Sequence, residues 1–135
     1  MKHDIDFPKV TGVYVVVAQK FDEQTNSLCW QAYILNRNNF KISNVLVSSK
    51  GYGYINGEKR TTSILRHFIE VVHPKGYALI ETINDEILQL NNEFWVSYYA
   101  EDKLFDKKFI FLPDSILLEN ALLVPELNLM GVIHA

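Results

Sequence analysis

Histidines and acids are the residues of this chain most able to bind a metal ion, and they form two groups. One group contains His67, Glu70 and His73, and the other contains His3, Asp4 and Asp6. On a strand that rises about 3.3 Å per residue, His67 and His73 would stand about 20 Å apart, too far for one ion. Glu70 would face the other way, and a chain terminus is usually solvated. We therefore predict no metal site and no cofactor.

The candidate nucleophiles also lack the partners that catalysis needs. Cys29 is the single cysteine and lies between Leu28 and Trp30. A reactive thiol needs a nearby base and an electropositive setting, so these apolar neighbours indicate a small buried hydrophobic residue instead. Ser48 and Ser49 do not stand in a Gly-x-Ser-x-Gly elbow. No catalytic residue is assigned, which favours a protein that is not an enzyme.

The run Gly51-Tyr52-Gly53-Tyr54 is the most distinctive short segment. It lacks the lysine-serine ending of a phosphate-binding loop and does not open a helix. We interpret it as part of a hairpin that presents tyrosines, whose rings give a large contact area at small entropic cost. The candidate binding residues are Tyr52, Tyr54, Lys59, Arg60, Trp95 and Tyr99.

Composition limits the class of protein and its partners. The 135 residues are 48% hydrophobic, 13% aromatic and 21% charged, which predicts one folded domain over residues 1–135. A net charge of −3 argues against nucleic acid and anionic lipid as partners. The apolar run at residues 13–18 is too short for a signal peptide or a membrane span, and one cysteine gives no sign of secretion. We predict a cytoplasmic protein without a membrane partner.

The elements that must position these residues are predominantly β. Short runs of β-branched and aromatic residues alternate with turn residues every eight to twelve positions. We predict an immunoglobulin-like antiparallel β-sandwich of about seven strands, although the cysteine pair of antibody domains is absent. The predicted strands cover residues 12–20, 28–35, 40–48, 61–72, 77–83, 94–99 and 107–112.

Local signals add a hairpin, a helix and two end segments to this outline. Asn56-Gly57 predicts a two-residue hairpin turn, because both positions of such a turn need positive φ. Asn84 is a suitable N-cap for one short helix over residues 85–90. We expect residues 1–11 to form an N-terminal arm. Residues 114–135 form an apolar C-terminal tail that we expect to pack on the core or on a partner.

Four runs of the chain resemble a group of small, uncharacterised bacterial proteins. They are residues 30–36 (WQAYILN), 45–51 (VLVSSKG), 90–94 (LNNEF) and 103–109 (KLFDKKF). Some members of that group carry the label phenylalanyl-tRNA synthetase alpha subunit. The present chain has no class II motif with ATP-binding arginines and no basic surface for tRNA. The resemblance therefore implies a shared fold and carries over no catalytic residue.

Three functional hypotheses follow from the sequence. The first is a non-catalytic β-sandwich that acts through protein contacts, including contacts with its own copies as a homodimer. The second is a small-ligand protein or enzyme with a pocket between the sheets or near the 51–57 hairpin, lined by Tyr52, Tyr54, Trp95 or Tyr99. The third, a translation-associated or tRNA-binding role, depends on the label attached to similar proteins and on base stacking by the tyrosines.

Overall fold

The computed structural model describes residues 8–134, and these residues form mostly antiparallel β-structure. Ten strands are present in this part of the chain: β1 Val13–Asp22, β2 Ser27–Asn36, β3 Ile42–Ile55, β4 Glu58–Thr61, β5 Leu65–Val72, β6 Tyr77–Ile83, β7 Asn91–Ala100, β8 Lys103–Phe111, β9 Leu122–Val124 and β10 Leu129–His134. The mainly β prediction is confirmed. The count of seven strands is wrong, because the tail contributes two strands and the segment 61–72 contains a break.

The strands form two sheets that face each other. The first sheet has the order β6-β2-β1-β10-β9, and the second has the order β4-β3-β7-β8, with β5 also paired to β3. Inward side chains of both sheets meet in one apolar core, exemplified by Val15 of β1, Ile34 of β2, Val47 of β3 and Phe94 of β7. The alternation of apolar and polar residues thus assigns one face of each strand to this core.

Strand β1 lies inside the first sheet, as its apolar residues on both parities predict. It pairs with β2 on one side and with β10 on the other. Val13, Val15 and Val17 face the core between the sheets. Val16 and Ala18 belong to a second apolar cluster on the opposite side. Both faces of β1 are therefore covered.

The predicted hairpin at Asn56-Gly57 is confirmed. Both residues have positive φ, 52° and 79°, and they join β3 to β4 with Ile55 opposite Glu58. The alternation of residues 61–72 predicted one returning strand, and this prediction is wrong. Strand β4 ends at Thr61, and a new strand begins at Leu65, because residues 62–64 do not continue the regular pairing with β3.

The C-terminal tail packs on its own chain. Strand β10 pairs with β1, and β9 pairs with β10 at the edge of the first sheet. Ile116 is buried in the core between the sheets. The turn between β9 and β10 is fastened by Arg37, whose guanidinium donates to both carboxylate oxygens of Glu126 at 2.7 and 3.2 Å.

The short helix predicted after Asn84 is present as a 3₁₀ helix over Asp85–Gln89. The Asn84 side chain accepts a hydrogen bond from the Glu86 amide at 3.2 Å, which satisfies one of the free donors at the helix start. A second 3₁₀ helix covers Leu118–Asn120. Within residues 8–134, neither helical segment has the length and apolar character needed to cross a bilayer.

Candidate functional site

The most distinctive site lies where the edge of the second sheet is interrupted. Strand β4 pairs with β3 only as far as Tyr52, and β5 takes over at Ser49. The intervening loop is fastened by Thr62, whose Oγ1 accepts from the Gly51 amide at 2.8 Å and whose own amide donates to the Gly51 carbonyl at 2.9 Å. We call this interruption, formed by residues 49–51 and 62–65, the notch. A cavity lies on each side of it.

The inner cavity opens between the two sheets and has a volume of about 210 Å³. Phe94, Ile87 and Leu65 supply its apolar walls, while Ser49 and Glu81 supply polar groups. The remaining lining residues are Lys50, Gly51, Thr62, Ser63 and Asn92. An apolar cavity with a few convergent polar groups is the usual form of a small-molecule site.

Glu81 is the centre of a hydrogen-bonded cluster at this cavity. The Ser49 hydroxyl donates to Glu81 Oε1 at 2.5 Å, and His67 Nε2 lies 2.7 Å from the same oxygen. The Glu81 side chain is 12% exposed and that of His67 is 27% exposed. Ser49 and His67 belong to the second sheet and Glu81 to the first. The cluster therefore joins the two sheets where β5 and β6 form their edges.

This arrangement does not have the geometry of a catalytic triad. In a triad the histidine stands between the nucleophile and the carboxylate, and it removes the proton of the nucleophile. Here Ser49 and His67 both bond to Glu81, and no hydrogen bond joins the serine to the histidine in the described residues. The hydrogen bonds from Ser49 and His67 can hold the Glu81 carboxylate in place at the cavity.

The outer cavity lies on the opposite side of the notch and has a volume of about 240 Å³. Lys50 Nζ stands 3.8 Å from Glu93 Oε2, and the Tyr52 hydroxyl donates to Glu93 Oε1 at 3.5 Å. Burial, together with the charge of Glu93, raises the pKa of Tyr52. Arg66 and Trp95 complete this side of the notch.

The outer face of the second sheet exposes several large apolar side chains. Strand register places Phe68, Leu46 and Ser97 side by side, with Tyr99 next to Leu104 in a neighbouring row. The exposed fractions are 60% for Phe68, 54% for Leu46, 47% for Trp95 and 45% for Tyr99. We call Leu46, Phe68, Trp95, Tyr99 and Leu104 the outer patch.

Two contacts orient the Trp95 ring within the outer patch. Its indole nitrogen donates to Asp106 Oδ1 at 2.9 Å, and the ammonium of Lys108 lies 4.6 Å from the ring centroid. A ring fixed in this way loses little conformational freedom when a partner covers it. Trp95 has the properties of an interface anchor.

The six residues predicted from the sequence as binding residues do not line one cavity. Trp95 lines the outer cavity, and Tyr99 lines a separate depression of about 480 Å³ near Phe40. Tyr52 contacts Glu93, and Tyr54 is 68% exposed near the hairpin tip. Lys59 and Arg60 are exposed on β4. Alternation and register place Tyr52, Tyr54, Trp95 and Tyr99 on the same outer face.

From the sequence, His67 is a candidate only as a metal ligand and Ser49 only as a nucleophile, and no pattern indicates Glu81. Alternation along β3 places Ser49 on the same side as Val45 and Val47, so its inward position could be read from the pattern. The pattern could not predict that Ser49, His67 and Glu81, which lie on three strands of two sheets, meet at one point. The prediction that Cys29 is buried is wrong, because this residue is partly exposed.

Residues 8–134 contain no cluster of three or more histidine, cysteine, aspartate or glutamate side chains arranged to hold a metal ion. The group of His3, Asp4 and Asp6 lies outside the described residues. Comparison of the chain with family profiles, with curated proteins and with solved structures finds no match.

Proposed function

We propose that this protein is a non-catalytic interaction module that associates with a second copy of itself through the outer patch. The observation that carries the proposal is the sharing of one exposed sheet face by the five apolar side chains of the outer patch. An aromatic side chain has a surface area of about 150–250 Å², so the three half-exposed rings of Phe68, Trp95 and Tyr99 leave about 300 Å² accessible to solvent. A patch of that size on a monomer is often functional.

The dimensions of the face suit a dimer interface. Strands β5, β3, β7 and β8 span it side by side. At about 4.8 Å per strand and about 3.3 Å per residue over about eight residues, its flat area is about 500 Å². Protruding side chains raise the accessible area above that figure, towards the roughly 800 Å² per partner of a standard interface.

The charges around the outer patch favour a copy of the same chain as the partner. Arg66 and Lys108 lie in the row that contains Trp95, while Asp106 lies in the next row. A face that carries both signs can pair its cations with the anions of an identical face related by a two-fold axis. A strongly acidic or basic partner has no matching field here.

We also propose that the fold is an immunoglobulin-like sandwich. The support is that β1, β2 and β6 share one sheet while β3, β7 and β8 share the other. This is the division of strands A, B and E from strands C, F and G in the immunoglobulin sandwich. On this proposal, β5 is a further strand beside β3, and β4, β9 and β10 are additions.

Sedimentation equilibrium of the full chain and of Phe68→Ser tests the self-association proposal. We expect a concentration-dependent dimer for the wild type and a dissociation constant at least about tenfold weaker for Phe68→Ser. Because Phe68 is already 60% exposed, the substitution should leave the fold intact. The matched control is Leu79→Ser, a residue that is 50% exposed on β6 of the first sheet.

A wild type that stays monomeric at millimolar concentration would contradict the proposal. Equal weakening by Leu79→Ser and Phe68→Ser would also contradict it, because the contact would then not be specific to the outer patch.

A further inference from the structure

We propose that the inner cavity at the notch binds a small primary amine, with the ammonium group on Glu81 and the apolar part against Phe94, Ile87 and Leu65. The size of the cavity, the hydrogen-bonding state of its lining and its charge support this assignment independently. The site faces the space between the sheets, so it does not depend on association through the outer patch.

The size of the cavity limits the ligand to about one ring or a short branched chain. Its volume is about 210 Å³. An apolar cavity of about 150 Å³ in another protein is large enough to hold benzene. The additional volume of this cavity is sufficient for one amine-bearing carbon.

Three of the polar side chains around the cavity, those of Ser49, Thr62 and Asn92, already use their donor protons within the protein. The hydroxyl proton of Ser49 is directed to Glu81, and that of Thr62 is directed to the Ser63 carbonyl at 3.0 Å. The side-chain amide nitrogen of Asn92 donates to the backbone carbonyls of Ile87 and Leu90. A ligand that supplies its own donors therefore matches this lining better than a carboxylate or a phosphate does.

Glu81 has a free acceptor position for such a ligand. Ser49 and His67 both occupy its Oε1, and no described residue donates to its Oε2. Lys50 also lines the cavity, but its ammonium is paired with Glu93 on the outer side of the sheet. A charge-assisted hydrogen bond from an ammonium to a largely buried carboxylate is stronger than one from a neutral hydroxyl.

Two-dimensional ¹⁵N–¹H NMR of the full chain, titrated with benzylamine and separately with benzyl alcohol, tests the proposal. The probes have the same shape and differ in the charged group. We expect saturable shifts of the Gly51, Leu65 and Phe94 amides with benzylamine, and an affinity for benzyl alcohol about tenfold lower or weaker. This comparison requires no variant and so cannot be confounded by misfolding.

Two glutamate variants then test the assigned group. We expect Glu81→Gln to reduce benzylamine affinity about tenfold, towards that of benzyl alcohol, while Glu126→Gln leaves it unchanged. Glu126 is the matched control because it is a largely buried glutamate that bonds to Arg37 at the β9–β10 turn and does not line the cavity. Equal binding of the two probes, shifts that map away from the cavity, or absence of shifts at about 50 mM probe would overturn the proposal.

Discussion

Tyr98 shows how burial of a single polar side chain links this fold to pH. Its ring stacks on Phe105 at a centroid distance of 5.0 Å, and only 2% of the residue is exposed. Burial raises the pKa of Tyr98 from 10.0 to about 12, because the charged phenolate is poorly solvated in the core. Cross-strand aromatic pairing at this hairpin could be predicted from the sequence, whereas the depth of burial could not.

We predict that the free energy of unfolding falls as pH rises from about 10 towards 12. In that window the unfolded chain ionises Tyr98 and the folded chain does not, so the stability present below pH 10 is lost. The loss is about 2–3 kcal/mol for a shift of about two units. Urea unfolding at several alkaline pH values measures it. Tyr98→Phe keeps the ring stack and should reduce the slope.

A slope in Tyr98→Phe equal to that of the wild type would contradict this prediction. Burial also raises the pKa values of Tyr33 and Tyr52, so part of the alkaline loss should persist in the variant.

At the scale of elements, the C-terminal strand β10 depends on one close approach to β1. Gly131 stands opposite Ala18, and a Cβ added at Gly131 would lie 2.8 Å from Val16 Cγ1. The sequence predicted that the apolar tail must pack somewhere, since it could not remain solvated. It did not predict a strand, because the three-residue β9 and the interrupting turn give no clear alternation.

We predict that Gly131→Val costs about 1–3 kcal/mol of folding stability, because the side chain overpacks the contact between β10 and β1. Chemical denaturation followed by tryptophan fluorescence measures the change. Met130→Val is the matched control, since Met130 is the neighbouring residue and is partly exposed. A cost at Gly131 no larger than that at Met130 would show that the two strands do not approach closely.

The fastening of the β9–β10 turn should weaken in acid. The hydrogen bond from Arg37 lowers the pKa of Glu126 below its ordinary 4.5. A lowered pKa stabilises the fold above the unfolded value, and this contribution disappears as pH falls through the folded value. We predict that Glu126→Gln costs about 1 kcal/mol or less at pH 7, since both side chains are partly exposed.

Thermal unfolding at pH 7 and at pH 3 measures this dependence for the wild type and for Glu126→Gln. The two proteins should differ at pH 7 and converge at pH 3. A difference that is the same at both pH values would mean that the ion pair does not account for the effect.

At the scale of the whole molecule, the sequence pattern predicted local features of strands and turns but did not predict contacts between distant strands. Alternation separated the core-facing residues of β2 and β3 from the others, apolar residues on both parities placed β1 inside a sheet, and Asn56-Gly57 identified the hairpin. The Glu81 cluster could not be identified in this way, because Ser49, His67 and Glu81 are distant in sequence and meet across two sheets. Which strand lies opposite which is decided by packing of the complete chain.

The same packing leaves the outer patch exposed and makes it available to a second copy. A dilution series followed by ¹⁵N–¹H NMR of the full chain tests this central claim most directly. The proposed dimer predicts concentration-dependent shifts at the amides of Leu46, Phe68 and Trp95, with no change on the first sheet. Spectra that do not change with concentration, or changes confined to β9 and β10, would contradict it.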